Sequence, residues 1–148
     1  MKMISACLLG IRCAWSGDER YKNEQALRLP QTESLLSVCP EQLGGLPTPR
    51  SPQEIQGGSG EDVLDHKAKV INGDNVDVTN HFIRGAEETL KIARRLNLKE
   101  FIGKSGSPSC GCCHIHDGSF SGMLKVGNGV TAALLRRHGI RLVSEGDL

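Results

Sequence analysis

The sequence has few aromatic residues, almost no net charge and no long apolar run. Only 3% of its 148 residues are aromatic and its formal net charge is +1, whereas a nucleic-acid surface is typically basic or offers rings for stacking. No apolar stretch approaches the roughly 18 residues of a transmembrane helix. These absences argue against a nucleic-acid partner and against a membrane span.

A recognisable export signal is also absent. Ile4-Ser5-Ala6-Cys7 is similar to a bacterial lipoprotein cleavage box, but the six residues before Cys7 are too few for a charged region plus an apolar region. We therefore expect a cytoplasmic protein. In that reducing compartment six cysteines indicate metal binding or catalysis rather than disulfides, although any single cysteine is most often a small buried residue.

The chain length and the apolar pattern predict one α/β domain over residues 1–148. Strands are predicted over 3–7, 35–39, 101–103 and 140–143, and helices over 21–29, 79–96 and 130–138, with Thr79 as an N-cap and Gly139 as a C-terminal cap. The Pro- and Gly-rich stretch 40–60 predicts an irregular loop, and 63–78 predicts a hairpin that turns at 72–74. The alternation of strands and helices indicates a Rossmann-like three-layer domain with a mostly parallel sheet of about four strands.

Three cysteines follow three of the predicted strands. Cys7 ends the first strand, Cys39 ends the second, and Cys110 lies in the loop after the third. Because ligands of parallel sheets bind beyond the carboxyl ends of the strands, we expect these thiols to meet at one edge of the sheet. Three thiolates suit a soft metal or an iron–sulfur cluster and leave a coordination position open for a substrate. Three buried thiols without any metal are the alternative.

Polar residues near these cysteines are candidates for proton transfer and substrate binding. Near a desolvated cluster the pKa of Glu41 could rise to suit a general acid or base, or this carboxylate could simply cap a backbone turn. Ser107 and Ser109 could present hydroxyl or N–H groups to a ligand, or make ordinary turn contacts. Arg50 could hold an anion or pair with Glu54.

Seven motifs in a fixed order resemble those of one family. They are SACLLG at 5–10, VCPEQLGGLPTPRSPQEIQGG at 38–58, DVTNHFIRGAEE at 77–88, KSGSPSCG at 104–111, DGSFSG at 117–122, GNGVTAALL at 127–135 and GIRLVSE at 139–145. Together they are similar to the domain-of-unknown-function 523 family, whose characterised members are thiouracil desulfurases. Because the motifs run almost end to end, we expect a single desulfurase-like domain.

The resemblance implies a cytoplasmic bacterial enzyme with an oxygen-sensitive [4Fe–4S] cluster, held by Cys7, Cys39 and Cys110. It implies a non-redox, hydrolytic reaction on a small molecule, thiouracil or a thiolated nucleoside. The substrate's sulfur would bind the iron that has no protein ligand. The products would be uracil and hydrosulfide.

The resemblance also implies the catalytic residues. The family's acidic residue corresponds to Glu41, which would move protons to the base and from the attacking water. Its serine corresponds to Ser107, which would orient the ring or the water, and Ser105 and Ser109 are neighbouring alternatives.

The chain departs from the family's pattern at several cysteines and histidines. Cys112, Cys113, His114 and His116 stand where small or polar residues are usual, and Cys13 lies in a stretch where basic and aromatic residues are usual. The extra thiols could supply a fourth ligand, which would make the protein a closed metal- or cluster-binding module without activity. They could also bind zinc, or be bystanders. A metal-free thiol carrier of sulfur is a further alternative.

Overall fold

The computed structural model describes all 148 residues and contains eight strands and five α-helices. In chain order these are β1 Lys2–Ser5, α1 Glu24–Arg28, β2 Leu35–Val38, α2 Pro40–Leu43, β3 Gln53–Gln56, α3 Gly60–Leu64, β4 Lys69–Asn72, α4 Thr79–Arg95, β5 Glu100–Gly103, β6 His114–His116, β7 Leu124–Val126, α5 Val130–Arg137 and β8 Arg141–Ser144. No helix is both long enough and apolar enough to span a bilayer.

The centre of the fold is a four-stranded sheet in the order β2-β1-β5-β8, and every neighbouring pair is parallel. Successive side chains of a strand point to opposite faces, so Met3 and Phe101 lie in one buried cluster while Ile4 and Ile102 lie in another. Helices α4 and α5 cover the first face, and α1 covers the second. The predicted three-layer α/β fold with a parallel sheet of four strands is confirmed.

Helix α4 forms where the apolar spacing predicts it. Its residues Phe82, Ala86, Leu90 and Ala93 are all buried. The start of the helix differs from the expectation, because Val78 is the N-cap residue and Thr79 is already helical. The hydroxyl of Thr79 instead accepts a hydrogen bond from the backbone N–H of Val70 at 3.0 Å. At the end of α5, Gly139 has φ +80° and follows the last helical turn, in the position predicted for it.

The stretch 40–60 is more regular than its Pro and Gly content suggests. Pro40 occupies the first turn of α2, where its missing N–H costs nothing. Strand β3 escaped prediction because only Ile55 among its four residues is apolar. It pairs antiparallel with β4, and this two-stranded sheet packs beside α4 and α5 through a third buried cluster.

The hairpin predicted over 63–78 is wrong in its pairing. Residues 60–64 form helix α3, which begins with a capping box between Ser59 and Asp62. The tight turn does occur, because the side chain of Asn72 accepts hydrogen bonds from the N–H groups of Asp74 and Val76. Only the isolated bridge between Ile71 and Asp77 joins the two arms.

Several boundaries also differ. Strand β1 ends at Ser5, and Cys7 lies in a 3₁₀ turn over Ala6–Leu9. Helix α1 is shorter than the predicted 21–29, because the side chain of Asn23 caps it by accepting from two backbone N–H groups. The hairpin of β6 and β7 was not predicted.

Candidate functional site

A cavity of about 210 Å³ lies beyond the carboxyl ends of β1, β2 and β5. Three cysteines line it. Cys7 lies in the 3₁₀ turn after β1, Cys39 directly follows β2, and Cys110 lies in the loop after β5. The structure therefore brings together the three thiols expected at this edge of the sheet. The cavity also contains a fourth cysteine, Cys13, which is 2% exposed.

The thiols of the cavity differ in their environments. Burial raises the pKa of Cys7 to about 12, against an opposing effect of the Lys104 ammonium. Burial also raises the pKa of Cys110, while a hydrogen bond with Ser5 opposes this shift. A hydrogen bond from the Cys13 thiol lowers the pKa of Cys39 to about 7. In its neutral form the Cys39 thiol donates to the backbone carbonyl of Cys13, at 3.5 Å.

The additional cysteines of the 112–116 segment lie outside the cavity. Cys112 is buried in the core between the sheet and α5, and its thiol donates to the carbonyl of Cys110 at 3.5 Å. Cys113 and His114 are exposed. No three His, Cys, Asp or Glu side chains are arranged to hold a single metal ion. Neither Cys112 nor Cys113 lines the cavity that Cys7, Cys39 and Cys110 share.

Glu41 lines the cavity and is paired with Arg50. The side chains are only 12% and 5% exposed. The Nε of Arg50 donates to Oε1 at 3.0 Å, and its Nη2 lies 2.9 Å from the same oxygen in an ion pair. The other oxygen, Oε2, accepts no hydrogen bond from the protein. Burial raises the pKa of Glu41, and the Arg50 charge opposes that shift. The result is a carboxylate held by one oxygen with the other oxygen available.

Arg50 is itself held by several acceptors. Its Nη1 donates to the Pro47 carbonyl at 3.1 Å and to the Thr48 hydroxyl at 2.9 Å, and its Nη2 donates to the Cys13 carbonyl at 3.0 Å. The suggested pair with Glu54 is wrong, because Glu54 instead accepts from the backbone N–H groups of the 118–120 turn. Arg50 therefore acts on the cavity through Glu41.

The three serines of the 105–109 segment are placed differently. Only Ser107 lines the cavity. Its Oγ accepts hydrogen bonds from the N–H groups of Ser109 and Cys110, at 3.2 and 3.0 Å. Its own O–H proton has no acceptor in the protein and is free for a ligand. The Ser109 hydroxyl is buried against Thr131 at 2.9 Å, and Ser105 stands outside the cavity.

The remaining wall consists of residues that the sequence reasoning did not assign. The indole N–H of Trp15 donates to the Tyr21 hydroxyl at 2.9 Å, and the Lys104 ammonium lies 4.4 Å from the centre of the Tyr21 ring. His116 also lines the cavity and is hydrogen-bonded through Nδ1 to the Gly106 carbonyl at 2.8 Å. No local sequence pattern marks Tyr21 or Lys104 as a site residue. The fold places both of them in the same cavity as the thiols.

Comparison with known proteins gives consistent results at the levels of family, sequence and structure. The model of the 2-thiouracil desulfurase family matches residues 3–147. A Bacillus subtilis (strain 168) protein, the uncharacterized protein YbbK, is 44% identical over 148 residues, which cover 100% of this chain and 97% of that protein. A solved structure of TudS, described as a [4Fe-4S]-dependent thiouracil desulfidase, superposes with a TM-score of 0.86 at 39% identity, over 99% of this chain and 91% of that one.

Proposed function

Because this chain belongs to the 2-thiouracil desulfurase family, we propose that it removes sulfur from thiouracil or a closely related thiolated pyrimidine with the help of a [4Fe–4S] cluster. The observation that carries the proposal is the convergence of Cys7, Cys39, Cys110 and Glu41 in one cavity. A solved relative with the same fold is described as a [4Fe-4S]-dependent thiouracil desulfidase. The six free cysteines agree with a cytoplasmic location, where thiols stay reduced.

The donor set fits the cluster. Cys7, Cys39 and Cys110 would hold it, since thiolates are the usual ligands of iron–sulfur clusters and these three come from separate strand ends around one cavity. Burial disfavours the thiolates of Cys7 and Cys110, and metal ligation reverses this by deprotonating a coordinating thiol. When bound with three protein ligands, the cluster would supply a Lewis-acidic iron to the sulfur of the substrate.

The proposed reaction is a hydrolysis. Thiouracil and water give uracil, hydrosulfide and a proton. A C–O bond forms, the C–S bond breaks, and both electrons of that bond leave with sulfur, so no external oxidant or reductant is needed.

Glu41 is the proposed group for proton transfer. Arg50 occupies Oε1 only, so Oε2 is available to take a proton from the attacking water and to return it to the pyrimidine. Burial raises the pKa of Glu41, which makes its carboxylate a stronger base than an exposed one. The hydrogen bond and ion pair of Arg50 with Oε1 restrict the orientation of the carboxylate, because hydrogen bonds between charged groups are the stronger ones.

Ser107 is the proposed group for orientation. Two backbone N–H groups already fill the lone pairs of its oxygen, so it serves as a donor toward the cavity. A donor at this position can hold the exocyclic oxygen of the pyrimidine or the attacking water. Neither Ser105 nor Ser109 lines the cavity, which supports Ser107 over these neighbours.

The test is anaerobic purification followed by iron and sulfide analysis, a visible spectrum and a thiouracil turnover assay. We expect a brown protein with matching iron and sulfide, and release of uracil and hydrosulfide. Glu41→Gln removes the base and leaves a group of similar shape, and we expect it to keep the iron and lose at least about 100-fold in kcat. A colourless, iron-free wild-type protein would refute the proposed function, and full activity in Glu41→Gln would refute the role of Glu41.

A further inference from the structure

Two cations and two carboxylates line the cavity, and one of the cations has no ion pair. The cations are Arg50 and Lys104. Arg50 is neutralised by its pair with Glu41, at 2.9 Å. Lys104 forms no ion pair with any carboxylate, and Glu54, the other acidic residue of the cavity wall, is hydrogen-bonded to the backbone of the 118–120 turn. Lys104 is therefore the cation of the cavity wall that no carboxylate pairs with.

Lys104 is held in a defined position. It follows β5 directly, and its backbone N–H donates to the Ser5 hydroxyl at 3.1 Å, which ties it to the end of β1. Its ammonium donates to the Ser105 carbonyl and lies 4.4 Å from the centre of the Tyr21 ring. Such a cation–π contact attracts the ammonium without consuming its charge. A lysine ammonium has three donors, so the Ser105 carbonyl leaves donor capacity for a ligand.

Lys104 lies in the cavity in which the proposed reaction takes place. Lys104 and Cys7 line the same cavity. Hydrolysis of a thiolated pyrimidine brings negative charge to this place, because sulfur departs with the electron pair of the C–S bond. In a partly buried cavity an opposite charge is worth more than in water.

We propose that Lys104 is the anion-binding residue of this site, contacting the negatively charged sulfur of the pyrimidine as it leaves and of the hydrosulfide product. The inference rests on the proposed function and adds a residue to it. The Tyr21 ring and the Ser105 carbonyl position the ammonium, and its charge stabilises sulfur in the anionic form in which the sulfur leaves carbon.

The test compares Lys104→Met and Lys104→Arg with wild-type holoenzyme, all purified without oxygen. Lys99→Met is the matched control, because it removes the same charge from an exposed lysine outside the cavity. Inhibition of thiouracil turnover is measured with sodium hydrosulfide, and separately with uracil, a neutral product. The reduction potential of the cluster is measured on the same samples, so that one readout does not depend on turnover.

We expect Lys104→Met to weaken hydrosulfide inhibition by about tenfold, the usual value of one hydrogen bond to a charged group, and to change uracil inhibition by no more than about twofold. We also expect its potential to become more negative, because loss of a nearby cation favours the oxidised cluster. Lys104→Arg keeps the positive charge and should retain more of the hydrosulfide inhibition than Lys104→Met does. Lys99→Met should match wild type in hydrosulfide inhibition and in potential.

An unchanged hydrosulfide constant in Lys104→Met, with an intact cluster, overturns the assignment and leaves Lys104 as a residue packed on Tyr21. If the Met variant does not retain iron, Lys104→Gln replaces it under the same criteria, since it is also neutral and keeps a polar end. A wild-type protein without iron or turnover would instead refute the proposed function. The two failures are therefore distinguishable.

Discussion

At the residue scale, the neighbouring cysteines of the 110–113 segment have different environments. Cys110 is buried and lines the cavity, Cys112 is buried in the core, and Cys113 is exposed with φ +76°. Local sequence does not separate them, since all three stand within four positions. Whether each cysteine can bind a cluster therefore depends on the direction in which its side chain points from the backbone.

This difference predicts the outcome of two serine substitutions. Cys110→Ser should reduce the iron content to near zero, because a hydroxyl is a poor replacement for a thiolate ligand. Cys113→Ser, three residues away, should leave iron content and turnover unchanged. Iron and sulfide analysis of both anaerobically purified variants is the measurement. Retention of a full cluster in Cys110→Ser would remove this residue from the ligand set.

At the element scale, the start of helix α4 depends on Asp77. Hydrogen bonds from the Thr79 hydroxyl and, to a smaller extent, from the Thr79 backbone N–H lower the pKa of this carboxylate below the ordinary value of 3.8. The backbone N–H donates to Oδ1 of Asp77 at 2.9 Å. A carboxylate with a lowered pKa contributes stability above its unfolded value, and the contribution is lost as the pH falls through the folded value. The helix covers one face of the sheet, so its start matters to the whole domain.

We therefore predict that Asp77→Ala lowers the free energy of unfolding by about 0.5–1 kcal/mol at pH 7, in the lower part of the range for capping contacts because the residue is exposed. The difference from wild type should shrink as the pH falls below the ordinary value of 3.8. Urea unfolding of both proteins in cluster-free form, at neutral pH and at about pH 2.5, is the measurement. A difference that stays constant over this range would contradict the carboxylate's role.

At the scale of the whole molecule, the cavity joins segments that are distant in sequence. Cys7, Cys39 and Cys110 come from three different strand ends, so a cluster bound to all three would link β2, β1 and β5 at one edge of the sheet. A group that binds the folded chain and not the unfolded one raises the apparent stability. Loss of the cluster should thus lower the stability of the whole domain.

We predict that removing the cluster with an oxidant and a chelator lowers the Tm by several degrees or more, since about 1 kcal/mol corresponds to roughly 2–4 °C for a domain of this size. Thermal unfolding under nitrogen, before and after removal, is the measurement. The same treatment of Cys110→Ser should have no effect. An identical Tm for wild type with and without iron would show that the segments are held together by protein contacts alone.

The sequence by itself determined the α/β class, the elements with strong apolar spacing and the edge at which Cys7, Cys39 and Cys110 meet. These features follow from local periodicity and from the rule that parallel strands present their carboxyl ends on one side. The motifs also carried the family resemblance, which named Glu41 and Ser107.

Only the tertiary structure decided which residues complete the cavity. The pairing of Arg50 with Glu41 rather than Glu54, the arrival of Cys13 beside Cys39, and the position of Lys104 over the Tyr21 ring are contacts between separate segments. The weakly apolar strand β3 likewise formed because β4 was available to pair with it. Such contacts depend on how the chain is packed in space, and no local pattern in the sequence specifies them.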